Sequence, residues 1–404
     1  MKKSWRAAAA CALAGVMVAA GCGGEGNTGS GLAPEGELMT YTEYNLDTYV
    51  RPYWHTREIY NETVMFVGAD DSAPLLYDAT EILSVRNYGL DVEYEEGVDY
   101  TYENGVLKRT ADSSIPYFEI DDYYRTSPDS VGIAVDKSKI SLELEGDRYL
   151  KYGEGDTFTK KQIAVTYRHS SPWEGPIPAG KSEKLAKSLA KLKSGEETTV
   201  LFYGDSITTG CNSSGTSQGG NVSPHAESFP RMICSYFEEK YAANIDYYNT
   251  AVGGWTTEQG QDALEGNVIG YAPDLVIIGF GMNDMLTTPG AYSLMIQDML
   301  ERIHSALPDA EIVLVGSMVP NYESTWYGNQ ELFAAELLAL EEEYDFVAAA
   351  NVTEMHKALF SAGKRYRDVT GNNINHPNDF VARLYAQVIL KTMLGGEYCD
   401  EITN

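Results

Sequence analysis

The amino-acid sequence predicts an α/β protein with an all-β domain, a sandwich of jelly-roll type, in front of it. Three observations carry the prediction. Residues 40–168 are rich in Tyr, Thr and Val, are broken repeatedly by Gly, Asp and Pro, and show almost no helical periodicity. From residue 198 onward, short apolar runs alternate with helical patterns of a dozen or more residues. Between the two lies 170–180, Ser-Ser-Pro-Trp-Glu-Gly-Pro-Ile-Pro-Ala-Gly, whose prolines and glycines suit neither period and mark a linker. A length of 404 residues exceeds one average domain, and 43% hydrophobic residues can bury a sizeable core.

Taken in order, the first element is an export signal at 1–21. Lys2, Lys3 and Arg6 precede an apolar run over 7–20, which is shorter than the roughly 20 residues a bilayer requires. It ends Ala19-Ala20-Gly21-Cys22, which resembles a bacterial lipoprotein box, in which Cys22 is acylated and becomes the first mature residue; ordinary cleavage after small residues is the alternative. Residues 22–39, with their Gly, Ser and Asn, read as a flexible tether. The expected location is therefore a bacterial cell surface or periplasm, with membrane contact only through the lipid on Cys22.

The β domain is assigned to 40–175, with strand candidates at 63–67, 140–144 and 162–167. A second domain is assigned to 182–396. It opens with leucines at 185, 189 and 192, the spacing of an amphipathic helix. Strand candidates follow at 198–203, 245–248, 275–280, 312–315 and 346–349, and helix candidates at 228–241, 256–270, 291–306, 330–344 and 379–394. This alternation implies a parallel sheet covered on both faces, with ligands beyond the carboxyl ends of its strands.

Charge and cysteine usage exclude several functions. Loss of Lys2, Lys3 and Arg6 takes the formal charge from −29 to −32, which repels nucleic acid and anionic lipid and leaves neutral substrates as the expectation. Apart from Cys11 and Cys22, only Cys211, Cys234 and Cys399 remain, enough for one bridge at most. The histidines and cysteines show no metal-ligand spacing, so neither metal nor cofactor is expected.

Chemistry-bearing residues stand where strands end. After the strand at 198–203 comes Gly204-Asp205-Ser206-Ile207-Thr208, which puts a serine on a tight strand-to-helix turn; capping of a helix by Asp205 and Ser206 is the competing reading. Asn249-Thr250-Ala251-Val252-Gly253-Gly254 follows the second strand and Gly281-Met282-Asn283-Asp284 the third. A glycine lets a backbone N–H approach a reacting carbonyl, and an asparagine amide donates a second hydrogen bond to the same oxygen. Asn375-His376-Pro377-Asn378-Asp379 precedes the last helix, and His376 there can take the serine proton.

These four blocks, in this order, resemble the SGNH (GDSL-type) hydrolase family over about residues 198–395. The resemblance implies a three-layer α/β/α, flavodoxin-like fold and ester hydrolysis. It makes Ser206 the nucleophile and His376 the general base, with an oxyanion hole from the N–H groups of Ser206 and Gly254 and the amide of Asn283. Gly253 competes for the second position; Gly254 is preferred because it stands five after Asn249. The family usually carries Asp three residues before the histidine, where this chain has Asn373. Asn373 is taken as the third member, a neutral acceptor for the histidine Nδ1–H, with Asp379, Asp368 or a backbone carbonyl as alternatives. Cys211 either lines the pocket or packs beneath its loop, and Trp255, Trp326 and Tyr327 either stack on a sugar or pack in the core. The loop 213–225 is a candidate rim.

A β domain ahead of an SGNH domain looks like carbohydrate esterases of that architecture. The expected activity is removal of O-acetyl groups from poly- or oligosaccharide. A lipid acyl esterase or lysophospholipase is the alternative within the enzymes, and a catalytically weakened surface glycan-binding protein the alternative outside them.

Overall fold

In the computed structural model, which describes residues 41–400, the strand–helix alternation resolves into a five-stranded parallel sheet in the order Asn244–Asn249, Glu197–Gly204, Leu275–Gly279, Glu311–Val315, Val347–Ala350. Counted along the chain this is 2-1-3-4-5, the doubly wound order whose reversal lies beside its first strand. Side-chain alternation explains why both faces are covered. Val200, Phe202, Ile277 and Val313 enter one apolar cluster with Leu189, Ile233 and Leu384, while Leu201, Tyr203, Val276 and Ile278 enter a second with Leu300 and Leu337. The first cluster sits under helices Ala186–Ser194, Phe229–Tyr241 and Asp379–Leu394, and the second under Pro289–Ala306 and Phe333–Glu343. Thr288 caps Pro289–Ala306, with proline in its first turn, and so moves its start two residues ahead of the expected one. The expected helix at 256–270 is interrupted, forming Thr257–Asp262, Leu264–Asn267 and a 3₁₀ turn at Ile269–Tyr271. The helix Val352–Ser361 had no counterpart among the expected elements.

The N-terminal part is β-rich. One sheet runs in the order Ala79–Asn87, Gln162–His169, Glu58–Val67, Tyr117–Phe118; a second in the order Ser72–Pro74, Val106–Arg109, Tyr100–Glu103; and a third pairs Tyr124–Arg125 with Tyr149–Leu150. The expected strands at 63–67 and 162–167 lie inside the two long ones. The segment 140–144 is not a strand: Leu142 is exposed and no neighbouring strand pairs with it. Sheets of four, three and two strands differ from the two facing sheets of a jelly roll, because the two-residue strands are too short to extend a layer.

The β-rich part shares a core with the α/β part. Val64, Phe66, Val165 and Tyr167 belong to the same cluster as Leu384 and Tyr385, and the described residues fall in one compact unit. Helix Asp379–Leu394 is correspondingly buried all round except at Lys391. Polar ties join the two parts as well. Thr63 Oγ1 donates to the Asp368 carbonyl at 2.6 Å, Met65 N–H to Asp368 Oδ1 at 2.9 Å, and Asn378 Nδ2 to Gln162 Oε1 at 3.0 Å. The long β strands thus form the bed on which the loop 370–378 lies. The export signal, Cys22 and the tether fall outside the described residues, and no helix among the described residues is long and apolar enough to cross a membrane.

Candidate active site

Strand Glu197–Gly204 turns sharply at its carboxyl end. A Cβ on Gly204 would stand 2.3 Å from both the Gly279 carbonyl oxygen and Thr208 Oγ1, so the close approach of the neighbouring strand demands glycine. Asp205 caps the one-turn helix Ser206–Thr209 by accepting from Ile207 N–H at 2.9 Å. Burial raises the Asp205 carboxyl to about 7 against that hydrogen bond, so below neutral pH it stays protonated. Any stability drawn from the raised value is present at acid pH and lost as pH climbs through 7. Ser206 follows as the first helical residue, 6% exposed, at the switch point of the sheet.

His376 reaches it from the far end of the chain. The Asn372 side chain accepts the N–H groups of Ile374, Asn375 and His376, each at 3.0 Å, and the Thr370 hydroxyl and Gly371 N–H donate to the His376 carbonyl at 3.1 and 2.9 Å. With its backbone pinned in this way, the ring places Nε2 2.8 Å from Ser206 Oγ. If Ser206 donates, the imidazole proton sits on Nδ1, which faces Asn212 Oδ1 at 2.8 Å and Glu154 Oε2 at 3.1 Å.

Neither of those oxygens belongs to a residue singled out in the sequence. Asn373 does not touch the ring: its Oδ1 accepts from Tyr123 Oη–H at 2.7 Å and Asn321 Nδ2 at 3.2 Å, and its Nδ2 donates to the Lys151 carbonyl at 3.0 Å. It is fully buried with φ +72°, and its amide ties the loop to the β-rich part. Asp379 Oδ1 accepts from Ser214 N–H at 2.8 Å, while the cap of its helix is Asn378. Asp368 is occupied by Arg365 at 2.8 Å. Asn212 carried a faint signal, lying six residues after Ser206 on the same turn. Glu154 carried none, since it lies 222 residues from His376 in a Gly-Glu-Gly segment of the β-rich part.

Burial opposes ionisation of Glu154, but the hydrogen bond and charge of His376, with hydrogen bonds from Tyr152 and Asn372, hold its carboxyl down at about 2. The stabilisation that goes with this is present above a free carboxylate's value and is lost as pH falls toward 2. Because 42% of the side chain is exposed, water screens the pair and its contribution to folding is small.

Donors flank the serine. Asn249 Nδ2 donates to the Thr208 carbonyl at 2.8 Å and so fixes the second block against the Ser206 helix. Gly254 has φ +80°, a left-handed conformation natural to glycine, and both it and Gly253 line a cavity of about 550 Å³ that also contains Ser206 and His376. Asn283 lines the same cavity, with one amide hydrogen donated to the Trp255 carbonyl at 2.9 Å and the other left for a ligand. Val131, Tyr152 and Glu154 bring the β-rich part into the wall, which Trp326 and Ile374 also line. Cys211 lines the cavity, its thiol donating to Gln218 Oε1; burial pushes that thiol up to about 11, so it stays protonated and is no nucleophile at neutral pH. Cys211 and Cys234 are both free. Trp255 and Tyr327 are not in the lining.

A family model matches the part of the chain that holds this arrangement: the GDSL-like lipase/acylhydrolase model covers residues 202–384, beginning in the strand before Ser206 and ending in the helix after His376. Residues 202–384 match a GDSL-like lipase/acylhydrolase domain. No curated protein matches the chain. Among solved structures, a two-domain esterase (CEX) active on acetylated mannans is similar at 21% identity over 52% of this chain and 53% of that one, TM-score 0.42. The chain thus spans about half the length of that relative. An acetylxylan esterase from Geobacillus stearothermophilus is similar at 16% identity over 52% of this chain and 98% of that one, TM-score 0.42. An α/β hydrolase from the metagenome of Lake Arreo, Spain, is similar at 17% identity, 51% and 97% coverage, TM-score 0.40. Within the matched residues a serine, a histidine and amide donors surround one cavity, and the β-rich part contributes to its wall.

Proposed function

We propose that this protein is an exported carboxylic ester hydrolase that removes O-acetyl groups from carbohydrate through an acyl-enzyme on Ser206. The observation that carries the reading is the 2.8 Å contact between Ser206 Oγ and His376 Nε2 at the wall of an open cavity. His376 takes the hydroxyl proton as Ser206 Oγ bonds to the ester carbonyl carbon. The oxyanion then forms among the N–H of Ser206, that of Gly254 or its neighbour Gly253, and the free amide hydrogen of Asn283. As the bond from the acyl carbon to the sugar oxygen breaks, the imidazolium gives the proton to that oxygen, which leaves as a sugar hydroxyl. Water, deprotonated by His376, next attacks the acetyl-enzyme, and as the acyl–Oγ bond breaks the imidazolium returns that proton to Ser206 Oγ and acetate is released. The acidic chain favours a neutral substrate, and Tyr152 and Trp326 give the cavity aromatic surface suited to a sugar ring. The same reading exports the chain and tethers it through a lipid on Cys22.

Two measurements check this reading. On 4-nitrophenyl esters, acetate and propionate are the expected substrates, with at least a ~10-fold loss of kcat/KM at longer chains; this corresponds to about 1.4 kcal/mol of discrimination, within reach of a pocket that excludes methylenes. Activity rising with chain length would point instead to a lipid acyl esterase. Asn283→Ala is expected to lower kcat by about 10²–10³, the cost of one oxyanion donor, with little change in KM. An unchanged kcat would remove Asn283 from the hole.

A further inference from the structure

With Nε2 accepting from Ser206, His376 has a single Nδ1 hydrogen, and two oxygens of different chemistry face it. Asn212 Oδ1, at 2.8 Å, is aimed by its own amide, whose Nδ2 donates to the carbonyls of Gly155 at 3.1 Å and Gly371 at 3.3 Å. Glu154 Oε2, at 3.1 Å, is aimed through its other oxygen, which accepts from Tyr152 Oη–H and from Asn372 Nδ2 at 3.1 Å. Asn372 is also the residue whose Oδ1 pins the backbone of His376. A neutral amide oxygen holds the tautomer and ring orientation, but only a carboxylate gives strong stabilisation to the imidazolium that forms as Ser206 loses its proton.

We propose that Glu154 is the charged positioning residue of the hydrolytic apparatus, supplied by the β-rich part of the chain, and that Asn212 is its neutral orienting partner. This division rests on the reading of Ser206 and His376 as the ester-cleaving pair. It makes the β-rich part a component of the chemistry as well as of the cavity wall, since the acylhydrolase domain alone would keep Asn212 and lose the charge. Glu154 lies at the cavity wall with its side chain 42% exposed, so water screens it in the open site. A sugar seated in the cavity displaces that water, and the carboxylate then acts on the imidazolium through a lower dielectric. Its effect therefore belongs to kcat more than to KM. Other titratable groups near the ring are Asp205 at the end of the strand, the Cys211 thiol and the Tyr152 phenol, and among the described carboxylates Glu154 alone is within hydrogen-bond reach of the ring.

The test compares the full chain with Glu154→Gln, Glu154→Asp and Asn212→Ala, each first checked for an unchanged melting temperature. Glu154→Gln is expected to lower kcat on 4-nitrophenyl acetate by roughly 10–100-fold, less than the ~10⁴-fold seen when the aspartate of a full triad is neutralised because Asn212 still orients the ring. KM is expected to stay within about twofold, and Glu154→Asp to recover part of the rate. The His376 titration, followed by NMR on histidine-labelled protein and assigned with His376→Ala, is expected to move about one pH unit lower in Glu154→Gln, a tenfold weaker hold on the imidazolium. Asn212→Ala is expected to lower kcat with that titration in place. A histidine titration unmoved by Glu154→Gln, or a kcat within twofold of the parent, overturns the proposal. Failure of the parent chain to cleave the ester would instead overturn the reading of the pair, while the titration would still report on Glu154.

Discussion

Under the proposed acyl-enzyme reading, Ser206→Ala is expected to lower kcat on 4-nitrophenyl acetate by at least ~10⁴-fold, the order of loss when a serine hydrolase is deprived of its nucleophile, while the protein stays folded. Nothing in the local architecture depends on the hydroxyl. The Ser206–Thr209 helix is capped by the Asp205 side chain, and the serine hydroxyl pairs with His376 Nε2. Replacement by alanine removes one oxygen from a cavity wall, so the melting temperature is expected to stay within a degree or two. Residual turnover above the uncatalysed rate would come from the oxyanion donors and substrate binding alone. A variant that keeps a tenth or more of the activity would mean that another group attacks the ester.

Lys364→Ala carries the largest expected loss of stability. Its ammonium lies 2.5 Å from Glu62 Oε1 and 2.9 Å from the Thr63 carbonyl, with both side chains of the ion pair wholly removed from solvent. Glu62 also accepts from Leu76 N–H at 2.9 Å and from Tyr167 Oη–H at 2.6 Å. Deleting the lysine leaves these hydrogen bonds but strands a carboxylate without its countercharge, a change that costs about 3–5 kcal/mol when a buried pair is broken from one side. The urea midpoint is the measurement, and a loss below about 1 kcal/mol would mean that the carboxylate finds water or a proton at little cost. Because the pair joins strand Glu58–Val67 to the turn ahead of helix Tyr366–Val369, activity is expected to fall at the same urea concentration as the fold.

Much of the site could be read along the chain because each block announces itself locally. Gly204-Asp205-Ser206, Gly253-Gly254, Gly281-Met282-Asn283 and His376-Pro377 each follow an apolar strand or precede a helix, and a doubly wound sheet brings the ends of its strands to one edge whatever the details of packing. The partner of the histidine could not be read in this way. Asn373 stands at the familiar spacing, yet its backbone enters the left-handed region and turns its amide toward Tyr123 and Asn321. The β-rich character of the N-terminal part was legible from its composition, but its pairing was not, since two-residue strands leave no periodicity to detect.

By itself the sequence determined which candidate residues stand at the ends of strands and the order of elements that carry them, because strand and helix periods and tight-turn glycines are local properties. Tertiary structure alone decided which oxygen meets the far side of His376. That contact joins residues 164 and 222 positions apart, Asn212 and Glu154, through loops whose meeting depends on a core shared by the two halves of the chain. Hydrogen bonding acts over about 3 Å and is blind to separation along the chain, so only the packed core brings such partners together.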